Sequence, residues 1–291
     1  MSVFGYIRFS YLGRNDTRLS RHTPDSDARY TALFAPKRME ERFYFFENLT
    51  LPSLRAQTDQ DFKVLVLAST IMPDSYKARL EAAVADIPQV SVVYSDKTHV
   101  KYALAPHIRR FSDAIPGRTV HFRLDDDDAI SAGLVAELRD TLPRARRKEL
   151  ISFPHGVYLT TENGVPKVLR KFEPYIAIGF AFVNEPGMYR NPYDCRHHMH
   201  HRLVPSSLDP RPLAYIHCAH VASDSRENQD KRLNIAKRFD PDHATEAGRA
   251  DNARRIAEAF PAFTLEGLED LMRNAPSAMD SARSTEMERT A

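Results

Sequence analysis

Cysteine is scarce, with only Cys195 and Cys218 in 291 residues. One disulfide is possible, but a disulfide framework is excluded, and a reducing compartment is the simpler reading. Net charge is nearly absent as well: 41 Lys and Arg stand against 39 Asp and Glu. That balance makes no electrostatic case for nucleic acid as the main partner. Long apolar runs are missing too. The longest, residues 175–183, falls far short of the ~20 residues a membrane-spanning helix needs. Arg8 arrives too early for the apolar region of a signal peptide. Together these absences lead us to expect a cytoplasmic protein, with peripheral contact at the inner face of a membrane left open.

What is present is an ordinary globular composition, 42% apolar and 27% charged, long enough for one sizeable α/β domain with or without an appendage. Residues 3–9 read as a first buried strand, followed by a turn-rich and then polar stretch to about residue 30. Pro36 opens a helix whose apolar face is Met39, Phe43, Phe46 and Leu49, and a short helix follows to Gln57. Residues 62–68 are almost continuously apolar, as a parallel strand covered on both faces should be. A helix after Pro73, a strand over 90–94 and a helix over 100–111 lead to a strand over 119–124. Strand and helix alternate, which predicts a mainly parallel, doubly wound sheet with helices on both faces. After residue 149 the pattern changes to short strands, a hairpin turning at Asn163-Gly164, a buried strand over 175–183 and terminal helices over 246–260 and 265–272. From residue 274 no apolar face recurs, and a frayed tail is expected.

The strand over 119–124 runs straight into Asp125, Asp126, Asp127 and Asp128. Ser131 is a fair N-cap for a following helix with Leu134, Val135 and Leu138 at helical spacing. Four carboxylates would then occupy a strand-to-helix turn, where open α/β sheets place ligands. They repel one another and resist a dry environment. A divalent cation would relieve that repulsion, and Asp-x-Asp spacing lets Asp125 and Asp127 face one ion. The alternative is a solvated acidic turn that caps the next helix. An EF-hand is excluded, because its glycine and terminal glutamate are missing.

The ordered set Tyr6-Ile-Arg-Phe-Ser10, Leu51-Pro-Ser-Leu54, Met72-Pro-Asp-Ser-Tyr76 and Arg123-Leu-Asp-Asp-Asp-Asp128 resembles the bacterial rhamnosyltransferase family. More broadly, a Ser-Leu…Gln-Thr…Asp-Phe stretch before residues 62–67 and the later aspartates look like a GT-A glycosyltransferase. The resemblance covers roughly residues 1–240 and implies a Rossmann-like GT-A fold. Residues 1–149 would be its nucleotide-sugar-binding half, 150–273 the acceptor side of the same domain, and 274–291 a tail. It implies a nucleotide-sugar donor, a glycan or glycolipid acceptor, and Mg²⁺ or Mn²⁺ at Asp125 and Asp127. Hard oxygen ligands suit those ions. Arg8 and Arg123 could add positive charge beside the diphosphate, although Arg8 could equally serve the acidic turn. Ser10 would be an early nucleotide contact, and Asp126 would face the nucleotide's sugar. One departure is plain. Family relatives often carry a base-contacting carboxylate after the second strand, where this chain has Ala68-Ser69-Thr70.

An inverting transferase also needs a group to take the acceptor's proton. Asp194 and His197, at the start of a histidine-rich run, are the candidates; a solvated polar loop is the alternative. His217 would be a third metal ligand by resemblance, or a buried hydrogen-bonded imidazole. His197 and His201 lie four apart, but without the adjoining glutamate of a zinc protease helix. Arg144, Arg146, Arg147 and Lys148 close a helix, as a solvated end or an anionic-lipid contact. A metal-dependent hydrolase using the aspartates and histidines is the competing enzyme class.

Overall fold

Residues 3–9 and 62–69 offer no polar face, so both segments need cover on either side and become inner strands of a parallel sheet. The computed structural model describes residues 2–11, 26–194, 201–202, 204–220 and 229–277. In it β1 (Val3–Arg8) lies between β2 (Phe62–Ser69) and β4 (Thr119–Asp125), with β3 (Val90–Ser95) outside β2, all parallel. Beyond β4 come β9 (Ala181–Asn184), antiparallel to its neighbours, then β6 (Leu150–Ser152) and β10 (Ser206–Leu208). Val3 and Ile7 of β1 enter one apolar cluster, and Phe4 and Tyr6 enter another. The first cluster includes Met39 and Phe43 of α2 (Pro36–Phe45) and Leu80 of α4 (Asp74–Val84). The second includes Leu104 and Ile108 of α5 (Val100–Asp113). Helices therefore cover both faces, and the chain has the expected GT-A-like α/β architecture with antiparallel strands in its second half.

A second sheet, in the order β5–β11–β7–β8, accounts for most of those strands. It consists of β5 (Ala129–Ile130), β11 (Tyr215–Cys218), β7 (His155–Glu162) and β8 (Val165–Phe172). Asn163 and Gly164 have φ of 51° and 77°, the left-handed pair that a two-residue hairpin requires, and Glu162 pairs with Val165. α8 (Glu246–Ala259) and α9 (Leu265–Arg273) are capped by Thr245 and Thr264, whose hydroxyls accept the Gly248 and Gly267 amides. They bury Ile256, Leu268 and Met272 against Val157, Leu159 and Ile216. Among the described residues no helix is long and apolar enough to cross a membrane.

Three local expectations need correction. The helix after the aspartates does not begin at Ser131: β5 intervenes, and α6 (Leu134–Thr141) has Gly133 at its N-cap. Pairing of Ile130 with Tyr215 claims that segment, a partner that local periodicity cannot reveal. The strand expected over 175–183 is extended only from Ala181, because Tyr175 and Gly179 adopt φ of 59° and 70°, incompatible with a strand. The polar stretch before residue 30 includes the start of α1 (Ser26–Leu33).

Within β4, His121 is fully buried beneath the first sheet. Its Nδ1 lies 2.8 Å from the Tyr6 hydroxyl and its Nε2 2.8 Å from that of Thr119. Burial without a counter-charge lowers its pKa to about 3. The imidazole is then neutral in the fold and titrates near 6.5 when unfolded. The stability it contributes is present above pH ~6.5 and is lost as pH falls toward 3, by up to about 1.4 kcal/mol per pH unit. Urea midpoints measured between pH 7 and 4 should fall with that slope. In His121→Gln the slope should flatten; an unchanged slope would exclude His121 as its source.

Candidate active site

The four aspartates occupy the crossing between the two sheets. Asp125 ends β4 in the first sheet, and Ala129 begins β5 in the second. Asp125 is also in register with Arg8 at the end of β1. The turn is therefore anchored at both ends by strand pairing and lies at the C-terminal edge of the parallel strands, with Asp126, Asp127 and Asp128 buried and Asp125 partly open.

Each carboxylate has a different setting. Asp125 is the most open of the four and accepts Arg123 Nη2 at 2.8 Å, while the Arg123 guanidinium lies over the Tyr193 ring at 4.7 Å. Asp126 Oδ1 accepts Arg42 Nη1 at 2.5 Å; its Oδ2 is buried without a hydrogen-bond partner. Asp127 Oδ2 meets both Arg42 Nη1 at 3.3 Å and His220 Nε2 at 3.0 Å. Asp128 Oδ1 accepts the Cys218 amide at 2.9 Å, and its carbonyl accepts the Thr50 hydroxyl at 2.8 Å. Thr50 ends a π-helical turn, Phe46–Thr50, that continues α2.

Charge is distributed unevenly along the turn. Burial pushes the Asp126 carboxyl up to about 6, despite the adjacent guanidinium. Burial pushes Asp127 the same way, but Arg42 and His220 outweigh it and hold the carboxyl at about 2. Asp128 is raised well above the ordinary range by burial, reinforced by the charges of Asp127 and Asp125. Of the three buried carboxyls, Asp127 alone is held below its ordinary range, while Asp126 and Asp128 are raised.

His220 is almost fully buried, with the Phe45 ring stacked on it at 4.3 Å. Its Nδ1 faces Glu41 Oε1 at 3.2 Å while its Nε2 faces Asp127. A neutral imidazole can donate from only one nitrogen, so two carboxylates favour the doubly protonated ring. The pKa is accordingly raised: burial lowers it, and the Asp127 and Glu41 hydrogen bonds overcome burial.

The remaining residues singled out in the sequence have other partners or lie outside the described residues. Ser10, with φ 42°, accepts Arg38 Nη1 at 2.9 Å. His217 lies on β11 with its Nδ1 2.7 Å from the buried Lys171 Nζ; His220 is the histidine that reaches Asp127. Asp194 is exposed and accepts the Asn191 amide at 3.0 Å. His197 lies outside the described residues. Sequence reasoning passed over Glu41, Arg42 and His220. A signal existed for Arg42: three residues after Met39 and four before Phe46, it puts a charge on the helix's apolar face.

The donor set suits a hard dication. Carboxylates predominate, and Asp126 Oδ2 is a buried oxygen lacking a donor. Among the described residues, no three His, Cys, Asp or Glu side chains converge into a closed cage.

Comparison with known proteins adds the following. No curated protein matches the chain. A crystal structure of Staphylococcus aureus TarS residues 1–349 in complex with UDP is similar over 90% of this chain and 71% of that one, at 11% identity and a TM-score of 0.44. The same TarS fragment with UDP-GlcNAc also scores 0.44, at 10% identity over 90% and 72%. A structure described as a "Putative Glucose-1-Phosphate Thymidylyltransferase" from Bacillus anthracis, in complex with sucrose, is similar over 82% of this chain and 95% of that one, at 9% identity and a TM-score of 0.38. Residues 2–232, which contain the aspartate turn, Arg42 and His220, match the model of the family described as "Putative rhamnosyl transferase", and the chain belongs to that glycosyltransferase family.

Proposed function

We propose that the protein moves rhamnose from a nucleotide-sugar donor to a glycan or glycolipid acceptor, with Asp125 and Asp127 holding Mg²⁺ or Mn²⁺ at the donor diphosphate. Family membership supports the sugar, and the aspartate turn carries the site: Asp127, whose carboxyl is held at about 2, follows the C-terminal end of a parallel strand. Transfer breaks the bond from the anomeric carbon to the diphosphate oxygen and forms one to the acceptor oxygen. The acceptor proton leaves to a base, for which Asp194 and His197 are our candidates, with a base near 7 favoured. Mg²⁺ or Mn²⁺ at Asp125 and Asp127 would supply positive charge against the departing diphosphate.

The chain's own residues do the rest. Arg123 is a fixed cation beside Asp125, held over Tyr193, and Arg8 ends the adjacent strand. Both would meet phosphate oxygens in this reading. Asp126, with its unpartnered Oδ2, can accept a ribose hydroxyl. Ser10 marks the nucleotide end of β1. His217, on the second sheet, stands as a candidate ligand.

A thermal-shift panel of UDP, dTDP and GDP, each with and without Mn²⁺, tests the proposal. One nucleotide should stabilise the protein by about 2.7 kcal/mol at a hundred times its Kd, and only with metal present. A strong Zn²⁺ response without any nucleotide response would replace the transferase reading by a metal-dependent hydrolase.

A further inference from the structure

The chain from Asn274 onward looks like a tail in the sequence, yet it stays packed through Ser277. Ala275 is buried in the cluster between α9 and the second sheet. Two residues later the Ser277 amide donates to Glu41 Oε2 at 3.0 Å, and its hydroxyl donates to Glu41 Oε1 at 2.7 Å. Glu41 is 2% exposed. Its other close partner is His220 Nδ1, and His220 Nε2 reaches Asp127, the oxygen of which is shared with Arg42. Half-buried Ser277 thus leads into a buried row, Glu41, His220, Asp127 and Arg42, in which acid and base alternate.

We propose that Ser277 is a positioning residue for Asp127, acting through Glu41 and His220; the functional consequence rests on the donor-site reading above. The physical case is one of satisfaction. A carboxylate as buried as Glu41 must have both oxygens hydrogen-bonded to stay ionised. Ser277 provides two of its donors, one to each oxygen. An ionised Glu41 fixes the imidazole plane by accepting at Nδ1, and that plane aims Nε2 at Asp127. Phe45, stacked on the ring, blocks a flip to another orientation. Remove the Ser277 hydroxyl, and Glu41 Oε1 is left with His220 alone.

The test uses full-length Ser277→Ala, Ser277→Thr and Ser277→Val, the last two differing by a hydroxyl at nearly constant shape. Hydrogen exchange is followed at the amides of residues 125–130 and 217–220 without ligand. Loss of a hydrogen bond to a charged group should speed exchange there about tenfold in the Ala and Val variants. The Thr variant should match wild type, and the β1–β2 ladder should be unchanged in all three. Unchanged exchange at the turn in Ala and Val would overturn the proposal. So would an equal rise across β1–β2, because Ser277 would then act only on global stability. Mn²⁺-dependent nucleotide affinity, read by thermal shift, should weaken about tenfold in Ala and Val. If wild type shows no such affinity while the turn still loosens in Ala and Val, the positioning role stands and the donor-site reading fails.

Discussion

Arg42→Met should destabilise the fold by about 3–5 kcal/mol, the cost of stranding a buried charge by deleting its partner. Arg42 reaches two carboxylates, Asp126 at 2.5 Å and Asp127 at 3.3 Å, with its own side chain 7% exposed. Methionine fills a similar volume, so a cavity contributes little and the loss is electrostatic. Arg55→Met is the matched control, since the Arg55–Asp86 pair is open to solvent, and it should cost under about 1 kcal/mol. Denaturant midpoints for the two variants measure the difference. Its pH dependence has a definite sign. In wild type, Asp127 is held below its unfolded value, so its contribution is present above pH ~4 and disappears as pH falls through about 2. The gap between wild type and Arg42→Met should therefore narrow over that window. A cost below about 1 kcal/mol at pH 7 would mean that Asp126 and Asp127 have another source of neutralisation.

Asp127→Asn should lower sugar transfer by about two to three orders of magnitude, the range for loss of one preorganised electrostatic group. The change keeps the size of the side chain and an oxygen for His220, but removes the charge on which Arg42 and His220 converge. Metal-dependent stabilisation by nucleotide should vanish with it. Asp128→Asn is the informative contrast. That carboxyl is already driven toward its neutral form and serves the Cys218 amide, a task an amide oxygen performs equally well. Its activity should stay within about tenfold of wild type, given that one retained hydrogen bond. Release of nucleoside diphosphate is the assay. Equal losses in the two variants would show that the turn acts as a whole and not through Asp127.

Both outcomes depend on features that differ in how openly the sequence displays them. Residues 62–68 announced a doubly covered strand because a polar face was missing, and β2 is one. Asn163-Gly164 announced its hairpin because two consecutive left-handed residues have few other uses. The aspartates were visible for the same reason: nothing else in the chain repeats a carboxylate four times. Each of these signals is local, carried by residues that touch their neighbours in sequence.

The rows that neutralise the aspartates are of another kind. Arg42 and Asp127 lie 85 positions apart, His220 and Asp127 are separated by 93, and Glu41 and Ser277 by 236. Tertiary packing alone brings them together: α2 supplies Glu41 and Arg42, and the pairing of Ala129 and Ile130 with β11 carries His220 to the end of the turn. His217 and His220 look alike in the sequence. They part because β11 alternates its faces and then ends, leaving His217 beside Lys171 on the second sheet and His220 beyond the strand at Asp127.

What the sequence by itself determined, then, is where negative charge gathers and that it follows a parallel strand. Period-two alternation and a fourfold carboxylate run are short-range facts that survive any tertiary arrangement. How strongly each buried aspartate holds its proton was decided only by the fold. That depends on desolvation and on cations delivered from α2 and from beyond β11, and both exist only once the two sheets meet.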